Sequence, residues 1–352
     1  MFMEQFALKH YNKSFFTPYS LTYEERIHKV LSDFGSEYLL NALSTMLKIR
    51  HFEIRSELAY REGFIGGFFH SDIGQEAIVS SPAFACGAHN WFFQSYRCHG
   101  LALALGLSLK EVACELYGKA HGIAKGRGGS MHLCTKNMPG GFGIVGGHVP
   151  LAVGAAFSLK YQKKKDQISL CFLGEGALAQ GVVYESINLA VLHSLPLLII
   201  IENNGWGMGT NVNDALAFSN NIAKNLSSAY SLEGYVINGM DFIDCLLNFK
   251  YFYNSIINNS KPIIVEAICS RFKGHSISDP GLYRCKKELE YSLQLDPIHQ
   301  LKTSLINLKI IDNDIYQEIE NKIKNSVIEA LKYAESAPWP SLTNLEEDVY
   351  AD

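Results

Sequence analysis

Ile168-Ser-Leu-Cys-Phe-Leu-Gly-Glu-Gly-Ala177 and, further on, Leu197-Leu-Ile-Ile-Ile-Glu-Asn-Asn-Gly205 are the two stretches that decide the fold. Each opens on an apolar run of strand length, Ile168–Leu173 and Leu197–Ile201. Between them, Ala177 to His193 carries apolar residues at helical spacing (Val182, Val183, Ile187, Ala190, Val191), and Pro196 marks the return. Strand, helix and strand in this order predict a βαβ unit with two parallel strands and a crossover helix. Open parallel sheets bind ligands beyond the carboxyl ends of their strands. Glu175 follows the first strand there and Asn204 the second. A carboxylate and an amide oxygen, completed by water and phosphate oxygens, suit magnesium or calcium. Gly176 and Ala177 are expected to open the crossover helix, where free N–H groups and the helix dipole suit a phosphate. Gly-acid-Gly alone is a common turn. The triplet at one strand end, with Asn-Asn at the next, is what predicts a cation–diphosphate site.

Outward from this unit, glycine dominates the N-terminal side. Ten of the chain's 29 glycines lie between Gly118 and Gly147, a density that predicts a loop approaching something closely or needing positive φ. Ser108-Leu-Lys-Glu111 is a capping-box pattern opening a helix to Tyr117, and Val149 to Tyr161 reads as another helix. Leu39, Leu43, Met46, Ile49 and Leu58 predict a long helix over Ser36–Glu62, ended by the glycines that follow Glu62. A further strand is expected at Ile263–Ile268, and helices from Lys286 to the C-terminus. The domain reading is an N-terminal arm over 1–35, an α/β domain over 36–285 and a helical region over 286–352.

The 352 residues are 47% hydrophobic and 19% charged, with 31 basic and 35 acidic side chains and a net charge of −4. That balance offers no basic surface for nucleic acid or membrane, and neither is expected as a partner. The eight cysteines form no C-x-x-C pair, and several sit in apolar runs, so reduced core thiols are expected. The N-terminus shows no secretory signal. A cytoplasmic location is expected, with the mitochondrial matrix as the alternative if a transit peptide has been removed.

Six further blocks extend the reading: Gly66-Gly-Phe-Phe-His70 with Gly74-Gln-Glu-Ala77, Tyr96-Arg-Cys-His-Gly100, Lys125-Gly-Arg-Gly-Gly-Ser-Met-His132, Gly143-Ile-Val-Gly-Gly147, Glu202-Asn-Asn-Gly-Trp-Gly-Met-Gly-Thr210 and Gly274-His-Ser-Ile-Ser-Asp-Pro-Gly281. With the Gly-acid-Gly motif they make the chain resemble, from about Tyr38 to Pro297, the alpha subunits of thiamine-diphosphate-dependent 2-oxo acid dehydrogenases, closest to the pyruvate type. The resemblance implies a thiamine-diphosphate-binding α/β fold, a mostly parallel sheet flanked by helices with helical extensions at both ends. It implies Glu175, Asn204 and the carbonyl of Trp206 as magnesium ligands. Tyr96, Arg97, Gly176 and Ala177 would take the diphosphate, Gly143 the aminopyrimidine, and Val145 would bend the cofactor. His275 would stand on a loop over the diphosphate and assist acyl transfer to lipoamide, and His70 would line the same channel. A separate beta subunit, two alpha with two beta, would carry the glutamate that activates the cofactor. A lipoyl-bearing acyltransferase component would accept the acyl group formed from pyruvate.

Taken singly, these residues have plainer readings. Val145 is a core valine, His99 a satisfied buried histidine, His132 a loop residue, and Ser276 and Ser278 are solvated serines. Glu175 stands where aspartate is usual in the pyruvate type, Ala179 replaces a frequent asparagine, and Phe142 and Lys273 replace histidines. Three alternatives stay open: an acetoin or branched-chain 2-oxo acid dehydrogenase, a non-catalytic partner-binding homologue, which Glu175, Ala179 and Phe142 suggest, and a generic nucleotide-binding α/β protein. The absence of G-x-G-x-x-G after a first strand and of G-x-x-x-x-G-K-[ST] weighs against the last.

Overall fold

The long apolar runs become strands covered on both faces. In the computed structural model, which describes His10 and residues 13–347, six strands form one parallel sheet in the order β2-β1-β3-β4-β8-β7. They are β1 (Trp91–Ser95), β2 (Gly141–Phe142), β3 (Ser169–Gly174), β4 (Leu197–Asn203), β7 (Glu233–Asn238) and β8 (Ile263–Ile268). A short antiparallel ribbon, β5 (Trp206–Gly207) and β6 (Thr210–Asn211), stands apart. Of the arm expected over 1–35, residues 1–9, 11 and 12 lie outside the described residues, as do 348–352 of the C-terminal region.

β4 is buried at every position, the mark of a central strand in a doubly covered parallel sheet. Its side chains alternate. Leu198 and Ile200 join one apolar core with Leu170 and Phe172, while Leu197, Ile199 and Ile201 join the other with Cys171 and Leu173. Helices Ser36–Arg61, Glu76–Cys86 and Phe242–Asn259 pack into the first core, and Val149–Tyr161, Gly181–Leu192 and Ile222–Tyr230 into the second. The C-terminal helix Asn313–Ser336 lies against Ser36–Arg61 and Leu109–Leu116. Phe16 pairs with Val236 across the outer edge of β7, closing ladder groups that would otherwise stand open. The eight cysteines are free thiols, six of them buried, as expected.

Most helix limits fall where the sequence places them, because caps are local. Thr22 with Glu25 and Ser108 with Glu111 both close capping boxes. The crossover helix is the correction. It opens at Gly181, after Gln180 in extended geometry, and Glu175–Ala179 form a 3-10 turn instead. Gly176 and Ala177 therefore stand before the helix, not in its first turn. The extended backbone at Gln180 interrupts the helical hydrogen-bond run, which a periodicity of side chains does not register.

The glycine-rich stretch is organised by one buried acid. Both Glu115 carboxylate oxygens accept backbone N–H groups, from Ala124 (2.8 Å), Gly126 (3.0 Å), Gly128 (2.7 Å) and Gly129 (3.1 Å). A Cβ at Gly122 would collide with this carboxylate, so glycine is required there. Glu115→Gln turns one acceptor oxygen into a donor facing donors. It is expected to lower unfolding stability by about 3 kcal/mol, read as a shift in the denaturant midpoint, with faster proteolysis within 118–129.

Candidate active site

Because the sheet is parallel, the carboxyl ends of β1, β3, β4 and β8 open on one side. The chain leaves β1 toward β2 in one direction and builds β3, β4, β8 and β7 in the other, so the strand order reverses at β1 and β3. A cavity of about 360 Å³ lies among these strand ends. Tyr96, Arg97, Val145, Glu175, Gly176, Ala177, Asn204, Trp206 and His275 line it, nine of the eleven residues singled out from the sequence. Gly143 is not in its wall, and a Cβ placed on it would meet His132 Nε2 at 3.5 Å. His70 stands one layer back, its ring 4.4 Å from Tyr96 and 5.0 Å from His275.

Glu175 is 1% exposed. Its Oε2 accepts the N–H of Asn204 at 3.2 Å, and its Oε1 has no hydrogen-bond partner. Burial raises its pKa above the ordinary carboxylate value. Gly205, at φ +84°, turns the chain after Asn204, and Asn204 Oδ1 accepts the N–H of Trp206 at 3.2 Å. An unpartnered carboxylate oxygen beside an amide oxygen is a donor set that fits a hard divalent cation. Among the described residues no three His, Cys, Asp or Glu cluster as a metal site by themselves, so such a cation would need oxygens from a ligand or water. The carbonyl of Trp206 faces Arg271 Nη2 at 3.4 Å.

Cations crowd the opposite wall. Arg97 donates through Nη1 to Ser71 O and through Nη2 to His275 O at 2.9 Å. Arg271 Nη1 meets His275 Nδ1 at 2.9 Å. Burial, then the neighbouring arginines, pushes His275 down to about 4, and burial with Arg97 pushes His70 down to about 2, so both rings are neutral near pH 7. Burial and Arg97 also lower Arg271. Two buried guanidiniums with neutral imidazoles between them make a seat for an anion. Val145, read alone as a core valine, is 43% exposed at this cavity.

Among the wall residues that were not named as site residues from the sequence are Arg271, which was expected only to gain a partner in the diphosphate, Glu202 and Gln75. Burial raises the Glu202 carboxyl to about 7. All three lie beside quoted blocks or within them, but nothing in a linear motif says that they face the same space. His99 is fully buried with partners on both ring nitrogens, as its plain reading expected. His132 is exposed and bonds Gly128 O at 2.9 Å, and Ser276 and Ser278 face each other at 3.1 Å.

A family model described as "Dehydrogenase E1 component" matches residues 44–343, which carries the likeness beyond Pro297 into the C-terminal helices. The pyruvate dehydrogenase E1 component subunit alpha of Rhizobium meliloti (strain 1021) is 38% identical over 322 residues, 91% of this chain and 92% of that protein. The protein of the same name from Rickettsia bellii (strain RML369-C) is 37% identical over 316 residues, 89% of this chain and 96% of its own. A mitochondrial counterpart from Schizosaccharomyces pombe is 35% identical over 316 residues, 89% of this chain and 76% of its own. Matched over most of its length, with the strand-end cavity inside the matched region, this chain belongs to the dehydrogenase E1 component family.

Proposed function

We propose that the chain is the alpha subunit of a pyruvate dehydrogenase (acetyl-transferring), the component that decarboxylates pyruvate with thiamine diphosphate and magnesium and passes the acyl group to lipoamide. The observation that carries this is the pairing, in one cavity, of the unpartnered Glu175 Oε1 with the buried cations Arg97 and Arg271. The names of the relatives support pyruvate over acetoin or branched-chain 2-oxo acids. The buried, cavity-facing Glu175 speaks against a degenerate, non-catalytic site.

Glu175, Asn204 and the carbonyl of Trp206 would hold the cation. Tyr96, Arg97 and His275 take the diphosphate from the other side, with the N–H groups of Gly176 and Ala177. Gly143 O and Val145 place the aminopyrimidine. When bound, thiamine diphosphate supplies the electron sink for decarboxylation. The neutral His275, backed by His70, would hold or move a proton at Nε2 during acyl transfer to lipoamide. We assign cofactor binding to 36–285 and the helical remainder to 286–352. No described helix is long and apolar enough to cross a membrane. The test is carbon dioxide release by the chain assembled with its beta subunit, with pyruvate, acetoin and branched-chain 2-oxo acids compared, with and without thiamine diphosphate and magnesium. Turnover best with pyruvate and dependent on cofactor is expected. Preference for another substrate would overturn the assignment.

The loop Arg271–Arg284 is expected to respond to the cofactor. Asp279 ties it internally, accepting His275 N (2.6 Å), Gly281 N (2.8 Å) and Tyr283 Oη (2.6 Å). Its links to the rest include Arg97 with His275 O and Ile277 N with Phe69 O at 3.0 Å. Without an anion, Arg97 and Arg271 repel across this seam, and a diphosphate removes the repulsion. Limited proteolysis within the loop is expected to slow at least fivefold at saturating thiamine diphosphate and magnesium. Equal rates would count against the diphosphate seat.

A further inference from the structure

Behind the anion seat lies a buried polar network that touches neither the cavity nor solvent. Glu53, on helix Ser36–Arg61, is fully buried, as are Asp72 and His99. One Glu53 oxygen, Oε1, accepts both the N–H of Asp72 and His99 Nδ1, each at 3.1 Å, and Oε2 meets the same Nδ1 at 3.2 Å. The other ring nitrogen of His99 lies 2.9 Å from Ser130 O and 2.8 Å from Ser130 Oγ. Asp72 Oδ2 accepts the N–H of Gly100 at 2.7 Å.

The Glu53 carboxylate only accepts, so His99 Nδ1 carries a proton. Nε2 faces the Ser130 carbonyl, which accepts, and the Ser130 hydroxyl, which accepts or donates. Burial lowers the His99 pKa, but the attraction of Glu53 outweighs it and raises the ring above the usual histidine value.

The positions of these residues in the chain matter more than their number. Arg97 donates to Ser71 O, the residue next to Asp72, and Arg97 is itself two residues from His99. Glu53 therefore holds both ends of one clamp, the 70–72 segment whose carbonyl fixes the guanidinium and the 96–100 turn that carries it. Ser130 ties the glycine-rich stretch to the same point.

We propose that Glu53 and His99 are positioning residues for the anion seat, setting where Arg97 and Tyr96 stand and so how tightly the diphosphate is held, without touching it. The proposal rests on the cofactor reading above, and the experiment separates the two. The chain, assembled with its beta subunit at saturating magnesium, is titrated calorimetrically with thiamine diphosphate. Wild type must bind, and absent binding would sink the cofactor reading and this inference with it. Glu53→Gln keeps the shape and an acceptor for Asp72 N–H but removes the charge. Its Kd for thiamine diphosphate is expected to rise at least tenfold, with the KM for pyruvate at saturating cofactor within twofold of wild type.

The reference for general destabilisation is Arg26→Met, which breaks the ion pairs of Arg26 with Asp241 and Asp244 away from the cavity. That variant is expected to lose thermal stability while its Kd stays within twofold of wild type. An unchanged Kd in Glu53→Gln, or an equal loss in Arg26→Met, would overturn the proposal. Should Glu53→Gln fail to assemble, Ser130→Ala decides. Losing one hydroxyl partner of His99 is expected to raise Kd about threefold, and no rise would overturn the positioning role.

Discussion

Glu175→Gln is expected to weaken thiamine diphosphate binding more than tenfold while the fold stays intact. Tenfold corresponds to about 1.4 kcal/mol. The argument is electrostatic. A diphosphate brings several negative charges to the strand ends, and the cation that neutralises them needs a charged anchor from the protein. Asn204 contributes an amide oxygen without charge. Glu202 also lines the cavity, but burial lifts its carboxyl to about 7, so it is a poor permanent anion there. Glu202 Oε1 is unpartnered too, but it is Glu175 whose other oxygen is bonded to the N–H of Asn204. Gln preserves volume and the hydrogen bond to Asn204 N–H, which separates charge from packing. Calorimetric titration of both proteins, assembled with the beta subunit at saturating magnesium, is the measurement. Equal tight binding would remove the ligand role and keep the site, whereas no binding by either would remove the enzyme reading.

The larger effect is expected from the missing partner. The chain purified alone is expected to decarboxylate pyruvate at under about one hundredth of the rate of the assembled enzyme, since an activating group supplied by the partner is worth about 10²–10⁴-fold. The cavity is unfinished on one side. Val145 is 43% and Met208 63% exposed in its wall, with Ile144 beside them at 78%. Helices Val149–Tyr161 and Gly181–Leu192, which pack together, also present Leu151, Phe157, Tyr161, Leu189 and Leu192 to solvent. Exposed apolar side chains on two adjoining helices are what a protein partner would cover. Among the described residues the carboxylates in the cavity wall are Glu175 and Glu202, both at strand ends where the cation is expected. Turnover at an ordinary enzyme rate by a preparation shown free of partner would disprove the need for a beta subunit. Recovery on adding the beta subunit is the expected result.

What was legible in the sequence was what neighbours in the chain decide. Ser36–Arg61 and Val149–Tyr161 follow from apolar spacing, and Leu109–Leu116 from the Ser108 and Glu111 cap. β3 and β4 follow from unbroken apolar runs, and Glu175 and Asn204 from their place at the strand ends. The start of the crossover helix was not legible, because the extended turn at Gln180 breaks the backbone and leaves the side-chain period intact.

By itself, then, the sequence determined the βαβ unit, the family blocks and the acid–amide pair, since periodicity, capping and strand ends are set within a few residues. It took the tertiary fold to bring Arg97 to a loop 178 residues away, to put Arg271 and Glu202 in one cavity with Glu175, and to bury His99 against Glu53. Those outcomes depend on which polar groups are buried together. Burial makes each donor find an acceptor across the fold, and no local spacing records which one it finds.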